Sequence, residues 1–167
     1  MDPSPAKTLN YKRSHFATQL PLDYLYTPSH AWIAAQGGGT WRIGLTKFAT
    51  RMLGEIVDFG FETEPGAQVQ PGKIVGWVEG FKAISDLFCI ASGQFCGANP
   101  ELRGNVKAIG KDPYGAGWLY LVEGTPDPNC VNVETYKGIL DKTIDRLLEK
   151  QKAENEDEDE GRGRDEE

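Results

Sequence analysis

From Tyr24 onward, short apolar runs alternate with turn signals, and the spacing inside each run predicts its element. Trp32 to Ala35 is apolar and ends at Gly37-Gly38-Gly39, and Thr40 to Leu45 resumes as a strand, which predicts a β-hairpin. Thr46 suits a helix N-cap, Lys47 to Leu53 makes one or two turns with Phe48, Met52 and Leu53 on a shared face, and Gly54 suits the stop. Glu55 to Phe61 has strand period, with Val57, Phe59 and Phe61 opposite Ile56 and Asp58. Pro65-Gly66 and Pro71-Gly72 mark turns around Val69. Strands follow at Lys73 to Glu79 and Ile84 to Ala91, and Ser92-Gly93 reads as a turn into Gln94 to Gly97. Residues 99–117 are loop-rich with room for a short helix, and Trp118 to Val122 is a late strand. Val133 to Leu148 is the clearest helix, its apolar stripe formed by Tyr136, Ile139, Leu140, Thr143, Ile144, Leu147 and Leu148.

Many short strands between regular turns predict a mainly β barrel or sandwich, with short helices and a C-terminal amphipathic helix. The pattern divides the chain into a loosely attached N-terminal arm at 1–22, one domain at 23–150 and a tail at 151–167. The tail has too little apolar surface to fold and is expected to be disordered.

Charge changes the picture only at that tail. The chain has 167 residues and a net charge of −7. Residues 151–167 hold nine acids and three bases, which leaves sixteen acids and fifteen bases in the other 150 residues. The domain is therefore near neutral, without the basic footprint of a nucleic-acid binder. No apolar run is long enough to span a bilayer, and the first twenty residues lack the apolar region of a secretory signal, so a cytoplasmic, monomeric protein is expected. Three cysteines (Cys89, Cys96 and Cys130) without a CxxC, and two histidines, argue against a disulfide framework and against a zinc site. Cys89 and Cys96 read as small apolar strand residues.

The informative stretch runs from Gly66 to Gly93. Gly80-Phe81-Lys82-Ala83 separates two strands, so Lys82 should project from a hairpin tip. An amine there is exposed for acylation, on a backbone that can be held rigid. Gly80 offers conformational freedom at the turn. Glu79 and Asp86 flank the tip, where a modifying enzyme or a partner could read them.

Tyr26 to Leu148 resembles the H protein of the glycine cleavage system, a member of the lipoyl/biotinyl-carrier family. Glu79-Gly80-Phe81-Lys82-Ala83-Ile84-Ser85-Asp86 resembles that family's lipoyl-lysine motif. Gly44-Leu45-Thr46 and Leu53-Gly54-Glu55-Ile56-Val57 resemble its strand–helix–strand segment, and Asp112-Pro113-Tyr114-Gly115-Ala116-Gly117-Trp118-Leu119 resembles its later DPYGxGW segment. Biotin carriers place Met on both sides of the lysine; Phe81 and Ala83 stand here, which favours lipoate.

The resemblance implies a barrel-sandwich hybrid fold and lipoic acid in amide linkage to Lys82. It implies a carrier rather than an enzyme. Glu79, Gly80, Phe81, Ala83 and Asp86 would serve recognition by a lipoate ligase or lipoyl transferase and by partners. His30, Trp32, Tyr114 and Trp118 would line a cleft for the arm. In the glycine cycle the arm would shuttle an aminomethyl group from glycine decarboxylase to an aminomethyltransferase, with dihydrolipoyl dehydrogenase reoxidising it. Departures leave the client open. His30-Ala31-Trp32 stands where the family usually has His-Glu-Trp, and Gly80-Phe81 where Ser-Val is common. Asn105 to Gly110 lacks the proline and second asparagine often found before DPYG. A second reading is therefore an H-like lipoate-binding protein that carries sulfur intermediates to sulfur-oxidation enzymes.

Overall fold

A computed structural model describes residues 7–165, with side chains as far as residue 161. Two sheets pack face to face. The first has six strands in the order β3 (Leu25–Tyr26), β4 (Ala31–Gly37), β5 (Thr40–Leu45), β11 (Tyr120–Pro126), β10 (Ala91–Ala98) and β7 (Gln68–Val69). The second has three, in the order β6 (Ile56–Phe61), β8 (Ile74–Gly80) and β9 (Ile84–Phe88). Ile33, Ile43, Phe95 and Val122 of the first sheet share one core cluster with Ile56, Val75, Val78 and Leu87 of the second. Burial of these branched and aromatic side chains between pleated faces drives the pairing.

Between β5 and β6 lies α1 (Lys47–Leu53), started by Thr46, whose hydroxyl accepts from Ala49 N–H, and ended at Gly54 with φ 82°. Phe48 and Leu53 of its apolar face are buried, while Met52 is 46% exposed. The next strand differs slightly from its expected alternation. A bulge between Ile56 and Asp58 buries Ile56 and leaves Val57 exposed. After β10 come a 3-10 turn (Pro100–Gly104) and α2 (Ala108–Lys111).

Ser92-Gly93 is not a turn. Both residues lie inside β10, and the chain reorients earlier, at Cys89-Ile90. Gly93 pairs with Gly124 of β11. A Cβ at Gly93 would lie 2.0 Å from Glu123 O, so the glycine permits a close strand crossing rather than a reversal.

The N-terminal arm also differs from expectation. Its residues 1–6 lie outside the described residues, but β1 (Thr8–Arg13) and β2 (Phe16–Pro21) form an antiparallel hairpin. Tyr11, Phe16 and Leu20 are buried in a second core cluster with Tyr26, Tyr136, Leu140 and Ile144. The last three of those belong to α3 (Val133–Asp165), which packs its predicted stripe here as far as Leu147, while Leu148 is exposed. Polar contacts add register: Tyr11 Oη donates to Asp141 at 2.7 Å, and Arg13 makes two 2.8 Å bonds to Asp145. Apolar anchors, not the surface ion pairs, hold the hairpin down.

From residue 151 the structure continues α3 to Asp165 instead of a disordered tail. The run holds four Glu and two Arg, residues that favour helix without tertiary contacts, and residues 151–161 are exposed. The side chains of 162–165 and all of 166–167 lie outside the described residues. No helix among the described residues is long and apolar enough to cross a membrane.

Candidate functional site

The β8–β9 hairpin puts Lys82 at its tip. Glu79 pairs with Ile84 and Trp77 with Asp86, and Gly80 N–H donates to Ala83 O at 2.9 Å to close the turn. Phe81, Lys82 and Ala83 are exposed, Phe81 to 76%. Glu79 and Asp86 are exposed on either side.

The tip's backbone is clamped onto the end of α1. Phe81 N–H donates to Glu55 O at 3.0 Å, Lys82 N–H to Leu53 O at 2.9 Å and Ala83 N–H to the same oxygen at 3.3 Å. A carbonyl at a helix C-terminus lacks an intrahelical partner, so α1 offers Leu53 O as a ready acceptor. Gly80 matters for a different reason than turn freedom. Its φ is not in the left-handed region, but a Cβ there would lie 2.1 Å from Leu53 O. Only glycine lets the hairpin come this close to α1.

Two clefts flank α1. One, of about 270 Å³, is mainly apolar and is lined by His30, Phe48, Met52, Asp86, Phe88 and Tyr120 among others. The other, of about 380 Å³, includes Lys82 itself, and five of its ten lining residues are cations.

Of the four residues expected to line an arm cleft, the structure brings only His30 to one. Its φ is 70°, Nδ1 lies 2.8 Å from Tyr136 Oη, and its ring centroid lies 4.5 Å from that of Phe48. Tyr136 donates its own hydrogen to Thr46 Oγ1, which assigns the Nδ1 hydrogen to His30 and leaves Nε2 as an acceptor. Burial pulls the imidazole down to about 4, so the ring is neutral near pH 7. Trp32 is 0% exposed, with Nε1 donating to Leu45 O and Pro113 O at 3.0 Å. Tyr114 is buried and accepts Lys47 N–H. Trp118 is half-buried against the second core cluster. Trp32 and Tyr114 are packing residues whose polar atoms find partners, and Trp118 packs at the edge of the same cluster.

Sequence reasoning missed Phe48, Met52 and Phe88 as cleft residues. Phe48 and Met52, four apart on a short helix, were the available signal. Lys47 and Arg51, and Lys107 and Lys111, carried the same spacing for the second cleft. The cysteines stand apart from the tip's chemistry. Cys89 is buried with its thiol toward Ala91 O at 3.3 Å, and burial raises its pKa. Cys96 is exposed, and Cys130 is half-buried and pushed up to about 11. Among the described residues no group of three His, Cys, Asp or Glu could hold a metal ion.

Comparison with known proteins agrees with this geometry. A sequence profile described as "Glycine cleavage H-protein" matches residues 24–143. A glycine cleavage system H protein of Corynebacterium jeikeium is 39% identical over 123 residues, covering 72% of this chain and 96% of that protein. One from Mycobacterium leprae is 38% identical over 132 residues, covering 75% and 99%. The crystal structure of a glycine cleavage system H protein from Mycobacterium marinum superposes with a TM-score of 0.64 at 38% identity, covering 71% of this chain and 97% of its own. Helix-packed hairpin β1–β2 and the outer part of α3 lie outside the matched span. The chain belongs to the glycine cleavage H-protein family.

Proposed function

We propose that this chain is the lipoyl carrier of a glycine cleavage system, a cosubstrate rather than an enzyme, with lipoic acid held in amide linkage by Lys82 Nζ. The observation that carries the reading is the contrast at the hairpin tip. The backbone of Phe81, Lys82 and Ala83 is bonded to Leu53 at the end of α1 and to Glu55 just before β6, while the Lys82 side chain is exposed. A swinging arm needs a fixed base and a free amine, and this tip offers both.

When bound, the group supplies a redox-active disulfide at the end of a flexible arm. The chain's own residues give it a base and a shelter. The apolar cleft beside α1, floored by Phe48 and Leu87 and rimmed by Met52 and Phe88, is of a chemistry that accepts an aliphatic arm and excludes water. His30, neutral and with Nε2 free to accept, adds one hydrogen-bonding group to that wall.

A lipoate ligase or lipoyl transferase would attach the arm, reading Glu79, Gly80, Phe81, Ala83 and Asp86 around it. Glycine decarboxylase, aminomethyltransferase and dihydrolipoyl dehydrogenase would be the clients. The names carried by the matched relatives and the family profile support glycine over sulfur intermediates, so the sulfur-oxidation reading is not favoured.

Intact-mass measurement tests the reading. Protein purified from lipoate-fed cells should carry the mass of one lipoyl group, mapped by peptide sequencing to Lys82, and Lys82→Ala should lack it. Retention of that mass in Lys82→Ala would overturn the assignment.

A further inference from the structure

The cationic cleft on the Lys82 side of α1 holds charge that the carrier role leaves unused. Lys47 and Arg51 stand one turn apart on α1, Lys107 and Lys111 one turn apart at α2, and Lys82 adds a fifth cation. Among the described residues Glu55 is the one carboxylate that lines it. The excess is local, because residues 1–150 carry sixteen acids against fifteen bases.

Internal contacts only partly balance these charges. Lys47 Nζ donates to Gly110 O at 2.8 Å, which holds its cation over the groove without neutralising it. Lys107 Nζ lies 3.7 Å from Glu55 Oε1, with both side chains more than half exposed, so the pair is loose and screened. Arg51 stacks its guanidinium 6.0 Å from the centroid of Phe16, a contact that fixes the side chain and keeps its charge. The groove thus remains a positive surface beside the amine that is to be acylated.

Acylation changes that surface. The deprotonated Nζ bonds to the acyl carbon of an activated donor, a mixed anhydride or thioester. The donor's leaving group departs with the bond electrons, and the nitrogen gives up one further proton. The product is a neutral amide, so the unmodified groove presents five cations and the modified groove four.

We propose that this groove docks an acidic surface of the enzyme that attaches the arm to Lys82, and that loss of the Lys82 charge favours release of the finished carrier. The inference rests on the carrier reading of Lys82. Clients meet only the modified form and so gain nothing from the fifth charge, whereas the attaching enzyme must tell substrate from product. Charge complementarity also speeds encounter, and this effect fades with salt.

The test uses the full chain, unmodified, with the lipoyl-attaching enzyme of the same cell, and measures kcat/KM for attachment across a salt series. At low salt K107E/K111E should lower kcat/KM about tenfold or more through KM, with kcat nearly unchanged and the wild-type salt dependence flattened. Lys142→Glu, a charge reversal outside the groove, should change neither. Lys82→Gln, which removes the charge without adding an arm, should bind the enzyme roughly two- to fivefold more weakly than the unmodified chain, as should the modified chain. If circular dichroism shows K107E/K111E to be unfolded, Arg51→Gln with Lys111→Gln replaces it, with the same direction expected. Wild-type kinetics in the groove variants, or equal binding of modified and unmodified chains, would overturn the proposal while leaving the carrier reading intact. Failure of wild-type Lys82 to accept an arm would remove the carrier reading and this proposal with it.

Discussion

Gly54 and Lys82 stand back to back. A Cβ on Gly54 would lie 3.0 Å from Lys82 Cγ and 3.1 Å from Lys82 N, and Gly54 holds φ 82°. The stop of α1 and the attachment residue are therefore one packing unit: Gly54 N–H donates back to Thr50 O and Arg51 O, while Lys82 N–H takes Leu53 O.

Substitutions at the two glycines should rank by what each Cβ meets. Gly54→Ala places a side chain at φ 82° and ψ −169°, a region nearly confined to glycine, and crowds the Lys82 stem, which can give, and Lys82 N at 3.1 Å, at about 1–3 kcal/mol. Gly80→Ala drives a Cβ to 2.1 Å from the Leu53 carbonyl, a backbone atom that cannot swing aside, and should cost more than about 3 kcal/mol. Chemical denaturation should order stability as wild type, Gly54→Ala, Gly80→Ala. A reversed order would defeat the close-approach account.

Leu20 tests whether the N-terminal hairpin is part of the folded unit. It is 0% exposed, in a cluster with Tyr26 and Tyr136. Leu20→Ala should cost about 2–5 kcal/mol, as for a leucine in a packed core. A loosely attached arm would lose less than about 0.5 kcal/mol.

Much of the site was legible because its determinants are local. Thr46, the α1 face and Gly54 are read within nine residues, and the Lys82 hairpin, Ile74 to Phe88, within fifteen. What escaped depends on distant partners. Tyr11 and Arg13 find Asp141 and Asp145 some 130 positions away, and nothing in the spacing of residues 8–21 announces them. Ser92-Gly93 has turn composition, yet the reason for its glycine is Glu123 on another strand. Trp32 and Tyr114 were expected at a cleft because aromatic rings suit one. Their indole and hydroxyl partners, Pro113 and Lys47, show instead that they are buried.

The three thiols should separate by burial. Cys96 is exposed, burial raises the pKa of Cys89, and that of Cys130 rises to about 11, so the thiolate is scarce at the last two. A chromogenic disulfide reagent at pH 8 should titrate one thiol quickly in the native protein and all three after denaturation. Rapid native reaction of Cys89 would instead expose a thiol able to exchange with a lipoyl disulfide.

His30 should give the fold an acid-sensitive step. Its folded pKa is lowered from 6.5 to about 4 by burial, so the unfolded chain takes up a proton first as the pH falls. The stability contributed by neutral His30 is fully present above pH 6.5, falls between 6.5 and about 4, and levels off below that. Two and a half pKa units correspond to at most about 3 kcal/mol. His30→Asn keeps a residue tolerant of the 70° φ while removing the titration. Denaturant titrations at a series of pH values should therefore show the wild type losing stability relative to His30→Asn across this window. Parallel curves would mean that the imidazole takes up its proton in the folded state, and that the wall of the apolar cleft carries a charge.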